Sequence, residues 1–201
     1  IINLSRVFVM GSDIWDTVKK TVDKLGYHNP VVINDPITRK IVGKKVSEDL
    51  NCDHYEIKDS TLSEISSIVD ILKKEKYDIV VSIGGGSVID VGKLASFNVS
   101  VPFISYPTVA SHDGISSSRA SIRDGEKKLS IDAHPPIAII ADTKVVSQAP
   151  YRFMASGCAD LISNYTAVLD WELAHKLKGE YFSEHAASLS SMSAKVTIDN
   201  A

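Results

Sequence analysis

Short apolar runs alternate with amphipathic stretches along roughly the first 150 residues of the chain. Compact apolar runs predict strands at 7–10, 30–33, 78–83, 101–107 and 137–142. Apolar residues at helical spacing predict helices at 14–25, 39–50, 62–74 and 87–97. Runs at 120–122 and 128–131, on either side of Asp124-Gly125, predict a β-hairpin. Strands that alternate with helices form βαβ units, so the pattern predicts an α/β fold with a parallel sheet.

The pattern becomes purely helical from Ala149-Pro150 onward. Residues 154–173 fit one long helix or two short ones, and residues 183–198 fit another. We therefore expect one domain at 1–147 and a second at 148–201. The second would hold about 55 residues, which is few for an independent core.

Composition narrows the class of protein without identifying it. The 201 residues include 22 Lys and Arg against 25 Asp and Glu, a formal net charge of −3, and 44% are hydrophobic. This balance excludes a disordered tail and a strongly basic nucleic-acid-binding protein. No apolar run approaches the roughly 18 residues of a membrane span, and no signal peptide is evident. Cys52 and Cys158 form no CxxC pair, so we expect free thiols in a cytoplasmic protein.

Three consecutive glycines, Gly84-Gly85-Gly86, join a predicted strand to a predicted helix. Glycines let the backbone approach a ligand closely, and the free N–H groups at a helix start can receive a phosphate. A tight turn that binds nothing is the alternative. The segment is not a Walker A motif, because Ser87 stands where that motif needs glycine. It is not a GxGxxG fingerprint either, because it follows about the third strand and not the first.

Asp90 lies in the first turn of the predicted helix. A carboxylate there interacts favourably with the helix dipole. It also stands three residues after Ser87, as in a capping box with Asp in place of Glu. On the residues alone, Asp90 is therefore interpreted as a helix-start residue.

Several segments together resemble one enzyme family. Residues 84–93, GGGSVIDVGK, resemble the GGGSxxDxxK motif of the iron/zinc-dependent alcohol dehydrogenase and dehydroquinate synthase superfamily. Residues 107–114, PTVASHDG, resemble a segment of archaeal sn-glycerol-1-phosphate dehydrogenases, and 149–152 with 157–160 resemble that family's metal-site helix. The resemblance covers essentially the whole chain. It implies a Rossmann-like NAD(P)-binding domain with a β-hairpin, followed by the start of an all-α metal and substrate domain.

The resemblance also implies cofactor contacts, residue by residue. The glycine run would hold the cofactor pyrophosphate, while the loop after the next strand and the start of the hairpin would lie on the nicotinamide side. The implied cofactor residues are Gly84, Gly85, Gly86, Ser87, Val88, Ile89, Asp90, Thr108, Val109, Ala110, Ser111 and Ser117. Without the resemblance, Thr108 and Ser111 would be interpreted as ordinary turn residues.

Asp35, which closes the second strand, is a further cofactor candidate. A carboxylate at this position can bind both ribose hydroxyls and favour NAD. Arg39 and Lys40 lie just beyond it and could accept the 2′-phosphate of NADP. Asp35-Pro36 also fits a turn or a helix start. The resemblance implies that both cofactors are used, so we expect NAD(P).

Two carboxylates carry the implied substrate and metal roles. Asp113 would accept a hydrogen bond from a substrate hydroxyl, and the adjacent His112 is interpreted as structural. Asp160 would be the catalytic residue, because it matches the family's metal ligand and also contacts the substrate there. On the residues alone, a single Asp in a helix is a solvated side chain. Lys127 and Lys128 are candidates for holding the substrate phosphate, although a solvated hairpin accounts for both.

The implied reaction is the reversible reduction of dihydroxyacetone phosphate to sn-glycerol 1-phosphate in archaeal membrane phospholipid biosynthesis, with zinc as Lewis acid. Catalytic zinc needs about three protein ligands, and the six histidines form no ligand pair to join Asp160. The chain also opens at Ile1-Ile2 without Met and stops abruptly at Ala201. We therefore expect part of a longer enzyme. The sequence does not determine whether that enzyme is a homo-oligomer, which stays possible.

The sequence alone also fits two other functions. A glycerol dehydrogenase, or a dehydrogenase of another small polyol, would keep the scaffold and change the substrate. A catalytically incomplete nucleotide-binding fragment would bind NAD(P)H with no zinc and no turnover.

Overall fold

The computed structural model describes residues 5–200. Ile1, Ile2 and Ala201, on which the expectation of a longer enzyme partly rests, lie outside the described residues. The strands are β1 (Val7–Gly11), β2 (Pro30–Asn34), β3 (Asp53–Glu56), β4 (Ile79–Gly84), β5 (Phe103–Pro107), β6 (Arg119–Asp124), β7 (Lys127–Asp132) and β8 (Ala138–Asp142). The helices are α1 (Thr17–Leu25), α2 (Pro36–Thr38), α3 (Lys44–Leu50), α4 (Leu62–Glu75), α5 (Gly86–Asn98), α6 (Thr143–Ser147), α7 (Tyr151–Lys178) and α8 (Glu184–Asp199). A π-helical turn, Arg39–Gly43, joins α2 to α3, and Asp113–Ile115 form a 3₁₀ turn.

Six strands form one sheet in the order β1-β8-β5-β4-β2-β3, and every pairing in it is parallel. Strands β6 and β7 form a separate antiparallel hairpin. The prediction of an α/β fold with a parallel sheet and a hairpin is therefore confirmed.

Helices cover both faces of the sheet, which is why its central strands read as unbroken apolar runs. Neighbouring side chains on a strand point to opposite faces. Val31 and Ile33 of β2 pack in one cluster with α4, α5 and the hairpin. Val32, between them, packs in the other cluster with α1 and α3. All six residues of β4 are buried, so the sheet is covered on both sides at its centre.

The edge strand β3 was not predicted. Its sequence, Asp53-His54-Tyr55-Glu56, is polar and largely exposed. It is a strand because its backbone pairs with β2. Such pairing does not require apolar side chains, so the sequence contains no apolar run that would indicate a strand here. As a result, the glycine run follows the fourth strand along the chain.

Two predicted helices differ in extent from the observed ones. The second predicted helix starts earlier than expected, and residues 154–173 lie within one long helix. Asp35 caps the start of α2, where the backbone N–H groups of Ile37 and Thr38 donate to its Oδ1, each at 2.8 Å. The helical path therefore starts at Pro36 and not at Arg39. The alternatives for 154–173 resolve to the single helix α7.

The chain divides into two compact units, Ile1–Ala110 with Gly114–Ala149, and Ser111–Asp113 with Pro150–Ala201. Helices α7 and α8 pack on each other in the second unit. Trp171 anchors the connection between them, because its indole Nε1 donates to the carbonyl oxygen of Tyr181 at 2.7 Å. Within residues 5–200, no helix combines the length and apolar character of a membrane span.

Asp142, at the carboxyl end of β8, is buried and gathers hydrogen bonds from three elements. The backbone N–H groups of Asp13 and Ile14 donate to its carboxylate at 3.0 and 2.9 Å, and the hydroxyl of Tyr106 donates at 3.0 Å. The same side chain caps α6. Burial acts to raise the pKa of Asp142, but these hydrogen bonds outweigh it and hold that pKa below its ordinary value.

We predict that Asp142→Asn lowers the free energy of unfolding by about 1–3 kcal/mol at pH 7, because an amide nitrogen would face buried donors. A lowered folded pKa stabilises the protein above the unfolded value of about 3.9, and this contribution is lost as pH falls through the folded pKa. The deficit of the variant should therefore shrink between pH 5 and pH 3, as measured by urea denaturation. Asp124→Asn, in the exposed hairpin, is the control. A deficit that stays constant over this pH range would contradict the role given to Asp142.

Candidate functional site

The sheet contains a crevice at the point where its chain connections change direction. From β2 the chain runs outward to β3, whereas from β4 it runs the other way to β5. Strands β2 and β4 are neighbours, so a topological switch point lies between their carboxyl ends. Ligands of open α/β sheets bind at such points. The switch point places Asp35 and the Gly84–Gly86 turn at the same edge of the sheet.

The glycine turn delivers the start of α5 to this crevice. Gly85 is the residue that precedes the helix, with φ −77° and ψ −176°, and no side chain among the described residues caps the helix start. The first N–H groups of a helix have no partner within it. An uncapped helix start with a positive dipole end is suited to an anion such as a pyrophosphate.

Two glycines of the motif are required by packing within the chain. A Cβ on Gly84 would lie 2.5 Å from Cβ of Val88. A Cβ on Gly92 would lie 1.8 Å from Oγ and 3.0 Å from Cβ of Ser82, so the Ser82 hydroxyl would have to rotate and the tight α5–β4 contact would have to loosen by a few tenths of an ångström.

Gly85 is different, because its own fold does not require glycine. A Cβ there would meet only Cγ2 of Val109 at 3.4 Å, which is ordinary contact. Its φ is negative, so any residue could adopt the conformation. No protein atom near Gly85 is therefore close enough to exclude a side chain at this position. A ligand that approaches this backbone closely would explain the glycine, and a dinucleotide pyrophosphate fits.

Asp35 lies at the switch point with one carboxylate oxygen engaged in capping α2. Arg39, the alternative contact for a 2′-phosphate, turns its Nε toward Glu56 at 3.3 Å. Lys40 is exposed. The helix-start reading of Asp35 is thus confirmed, and its contact with ribose remains a prediction.

Val88 and Ile89 are buried in the first turn of α5, and other cofactor candidates follow β5 or precede the hairpin. Thr108 is buried at the carboxyl end of β5, where its backbone N–H donates to the carbonyl oxygen of Gly84 at 3.0 Å. This bond ties the segment that contains Val109 and Ala110 to the glycine turn. Ser117 precedes the hairpin, and its hydroxyl donates to the carbonyl oxygen of Arg119 at 3.3 Å.

The interpretation of Asp90 as a helix-start residue is wrong. Asp90 lies in the second turn of α5, is 3% exposed and caps nothing. Its Oδ1 accepts from Nζ of Lys93 at 3.2 Å, and its Oδ2 accepts from the backbone N–H of Ser121 at 3.0 Å. Lys93 is fully buried, and no role is predicted for it from the sequence. The Lys in the GGGSxxDxxK motif was the available signal.

The second unit brings together the two carboxylates with implied substrate roles. The backbone N–H of Asp113 donates to Oδ2 of Asp160, on α7, at 2.9 Å. Ser111, also in this unit, and Asp160 are half-buried, whereas Asp113 is exposed. Lys127 and Lys128 are exposed on the hairpin, in agreement with a solvated role.

The described residues do not form a complete metal site. Between residues 5 and 200, no three His, Cys, Asp or Glu side chains are grouped so that they could hold an ion. Asp160 alone does not satisfy a catalytic zinc. Burial, reinforced by Asp53, raises the pKa of Cys52 to about 11, which disfavours the reactive thiolate at neutral pH.

The parallel sheet, its switch point and the glycine turn define a Rossmann-like α/β domain. The model of the iron-containing alcohol dehydrogenase family matches residues 9–150, and the chain belongs to that family.

Curated relatives named glycerol-1-phosphate dehydrogenase [NAD(P)+] are similar along most or all of the chain. The protein of that name from Thermococcus sibiricus is 47% identical over 206 aligned residues, which cover 100% of this chain and 59% of the relative. The one from Methanosarcina mazei is 47% identical over 178 residues, 86% of this chain and 50% of the relative. The chain thus spans little more than half the length of these relatives.

Solved structures show the same fold at lower identity. Glycerol dehydrogenase from Schizosaccharomyces pombe superimposes with a TM-score of 0.73 at 24% identity, over 83% of this chain and 44% of that one. NADH-dependent butanol dehydrogenase A from Thermotoga maritima gives 0.73 at 19% identity, over 83% and 50%. Sulfoacetaldehyde reductase from Bifidobacterium kashiwanohense, solved with NAD+, gives 0.73 at 17%, over 82% and 52%.

We predict that Gly85→Ala weakens NAD(P)H binding by at least about 10-fold, equivalent to about 1.4 kcal/mol, because the added methyl group occupies the path of the pyrophosphate. The free energy of unfolding should fall by no more than about 1 kcal/mol. Fluorescence titration and urea denaturation measure the two effects. Gly84→Ala is the matched contrast, since its Cβ would strike Val88 and destabilise the fold itself. Unchanged NAD(P)H affinity in Gly85→Ala would place the phosphate elsewhere.

Proposed function

We propose that the enzyme containing this chain reduces dihydroxyacetone phosphate reversibly to sn-glycerol 1-phosphate with NAD(P)H. The choice of substrate rests on the similarity to relatives that bear this enzyme's name. One of them is 47% identical in sequence over the whole chain. The solved structures of the fold are named for several different substrates, so the fold alone does not select one.

The dinucleotide half of the proposal rests on the chain's own geometry. The N–H groups at the start of α5 would bind the pyrophosphate, and Gly85 would leave the space it needs. Asp35, at the same edge, would accept from a ribose hydroxyl through the carboxylate oxygen that the helix cap leaves available. When bound, the reduced dinucleotide supplies the hydride.

The substrate half rests on Asp113 and Asp160. Asp113 would accept a hydrogen bond from a substrate hydroxyl and so orient the carbon that receives the hydride. Asp160 holds the backbone N–H of Asp113, so it would fix the segment from which Asp113 projects. Asp160 would also be one ligand of the family's zinc, with the other ligands outside the described residues. Because that set is incomplete here, no step is assigned to zinc.

A cytoplasmic location also belongs to the proposal, and a homo-oligomer stays possible. No helix among the described residues is suited to spanning a membrane. The product would supply the glycerol phosphate backbone of archaeal membrane phospholipids.

We predict that the full-length enzyme prefers dihydroxyacetone phosphate to dihydroxyacetone by about 10- to 100-fold in kcat/KM. A site built for the phosphate gains charge-assisted hydrogen bonds worth about 1.5–3 kcal/mol. Steady-state rates of NAD(P)H oxidation measure the ratio. Equal values for the two ketones would favour a polyol dehydrogenase. Cofactor binding without turnover of either ketone would favour a nucleotide-binding module.

A further inference from the structure

Lys93 is a buried cation whose backbone partners belong to a segment outside its own helix. It lies on α5, two turns after the glycine run, and its side chain is 0% exposed. A lysine pays a large desolvation cost when it is buried, and an apolar residue of similar length would fill the same space without that cost. The partners of its ammonium group therefore indicate what the charge does.

The ammonium group of Lys93 holds both ends of one short segment. Its Nζ donates to the carbonyl oxygens of Gly114 and Arg119, each at 2.7 Å, and to Oδ1 of Asp90 at 3.2 Å. Asp90 extends the contact, because its Oδ2 accepts from the backbone N–H of Ser121 at 3.0 Å. Lys93 and Asp90 together form the 90/93 clamp, which binds three backbone groups between residues 114 and 121.

The clamped segment carries residues that the proposed reaction would use. Ser117, the predicted contact on the nicotinamide side, lies between the two clamped carbonyls. Asp113, the predicted substrate contact, directly precedes Gly114 in the sequence. The segment has little regular structure of its own to fix it, since it consists of a 3₁₀ turn and the start of the hairpin.

We propose that Lys93, with Asp90, is a positioning residue that fixes the 114–121 segment to the helix that bears the pyrophosphate turn. The inference rests on the proposed function. Asp90 takes part through its bond to the backbone of Ser121, and its predicted contact with the cofactor is a separate role. The clamp acts through Ser117 and the residues next to it, and it leaves the pyrophosphate turn to be held by Gly92 against Ser82 and by the bond from Thr108 to Gly84.

Lys93→Met in the full-length enzyme separates this role from simple stabilisation. We expect kcat/KM for dihydroxyacetone phosphate to fall about 100-fold, as small misplacements of reacting groups do. The Kd for NAD(P)H should change by less than about fivefold, because the glycine turn stays in place. Leu72→Ala, a buried residue of α4 outside the clamp, is the control. It should lower Tm while leaving kcat/KM near the wild-type value at a temperature where both variants are folded.

Hydrogen exchange supplies a readout that does not depend on activity. Peptides covering 114–121 should exchange faster in Lys93→Met than in the wild type, while peptides of α4 should not. If wild-type enzyme fails to reduce dihydroxyacetone phosphate, the proposed function fails and the exchange measurement still decides whether the clamp exists. Unchanged exchange at 114–121, or a fall in kcat/KM matched by Leu72→Ala, would overturn the positioning role.

A second variant keeps the test decisive if Lys93→Met does not fold. Asp90→Leu combined with Lys93→Met removes both charges, so no unpaired buried charge remains. The double variant should be more stable than either single variant and should still show the loss of kcat/KM and the faster exchange at 114–121. A stable double variant with wild-type kcat/KM would also contradict the proposal.

Discussion

The close approach of α5 to β4 is the constraint on which the first unit depends. Gly92 allows it, since any side chain there would overlap the hydroxyl of Ser82. The approach buries α5 from Val88 to Ser96 and directs the start of the helix to the switch point between β2 and β4. It also carries Lys93 and Asp90 into the interior, where backbone carbonyls from the next segment satisfy the charge. The packing of α5 and the position of the 114–121 segment therefore follow from one helix–strand contact.

This constraint separates the glycines that serve the fold from the one that has no role in it. Gly84 and Gly92 are explained by Val88 and Ser82, whereas neither conformation nor packing explains Gly85. The preference for glycine at a helix N-cap and a ligand that approaches the backbone both fit that glycine. The uncapped N–H groups beside it favour an anionic ligand. The substrate residues are defined differently, because Asp113 and Asp160 contact each other within the second unit.

The sequence alone predicts those elements that are marked by buried apolar residues or by glycines. Apolar runs predicted the central strands, and the glycine run marked the helix start at the switch point. The strand β3 escaped because its residues are polar and only backbone pairing defines it. The role of Asp90 was misread because its partners are a lysine one turn away and a backbone amide 31 residues away. Hydrogen bonds to distant backbone groups leave no pattern in side-chain identity, so the role of Asp142 emerges only from the fold. For Lys93 the motif marks the residue, but its backbone partners emerge only from the fold.

Binding of the NAD(P) pyrophosphate by the turn between β4 and α5 is the proposal on which the proposed function most depends. Titration of ¹⁵N-labelled protein with NAD+ and with NADP+ tests it most directly, by following the backbone amide shifts. We expect the largest shifts on Gly85, Gly86 and Ser87 with both dinucleotides, and we expect none there with nicotinamide riboside, which carries no phosphate. Shifts centred elsewhere, or no saturable shift at these amides, would contradict it.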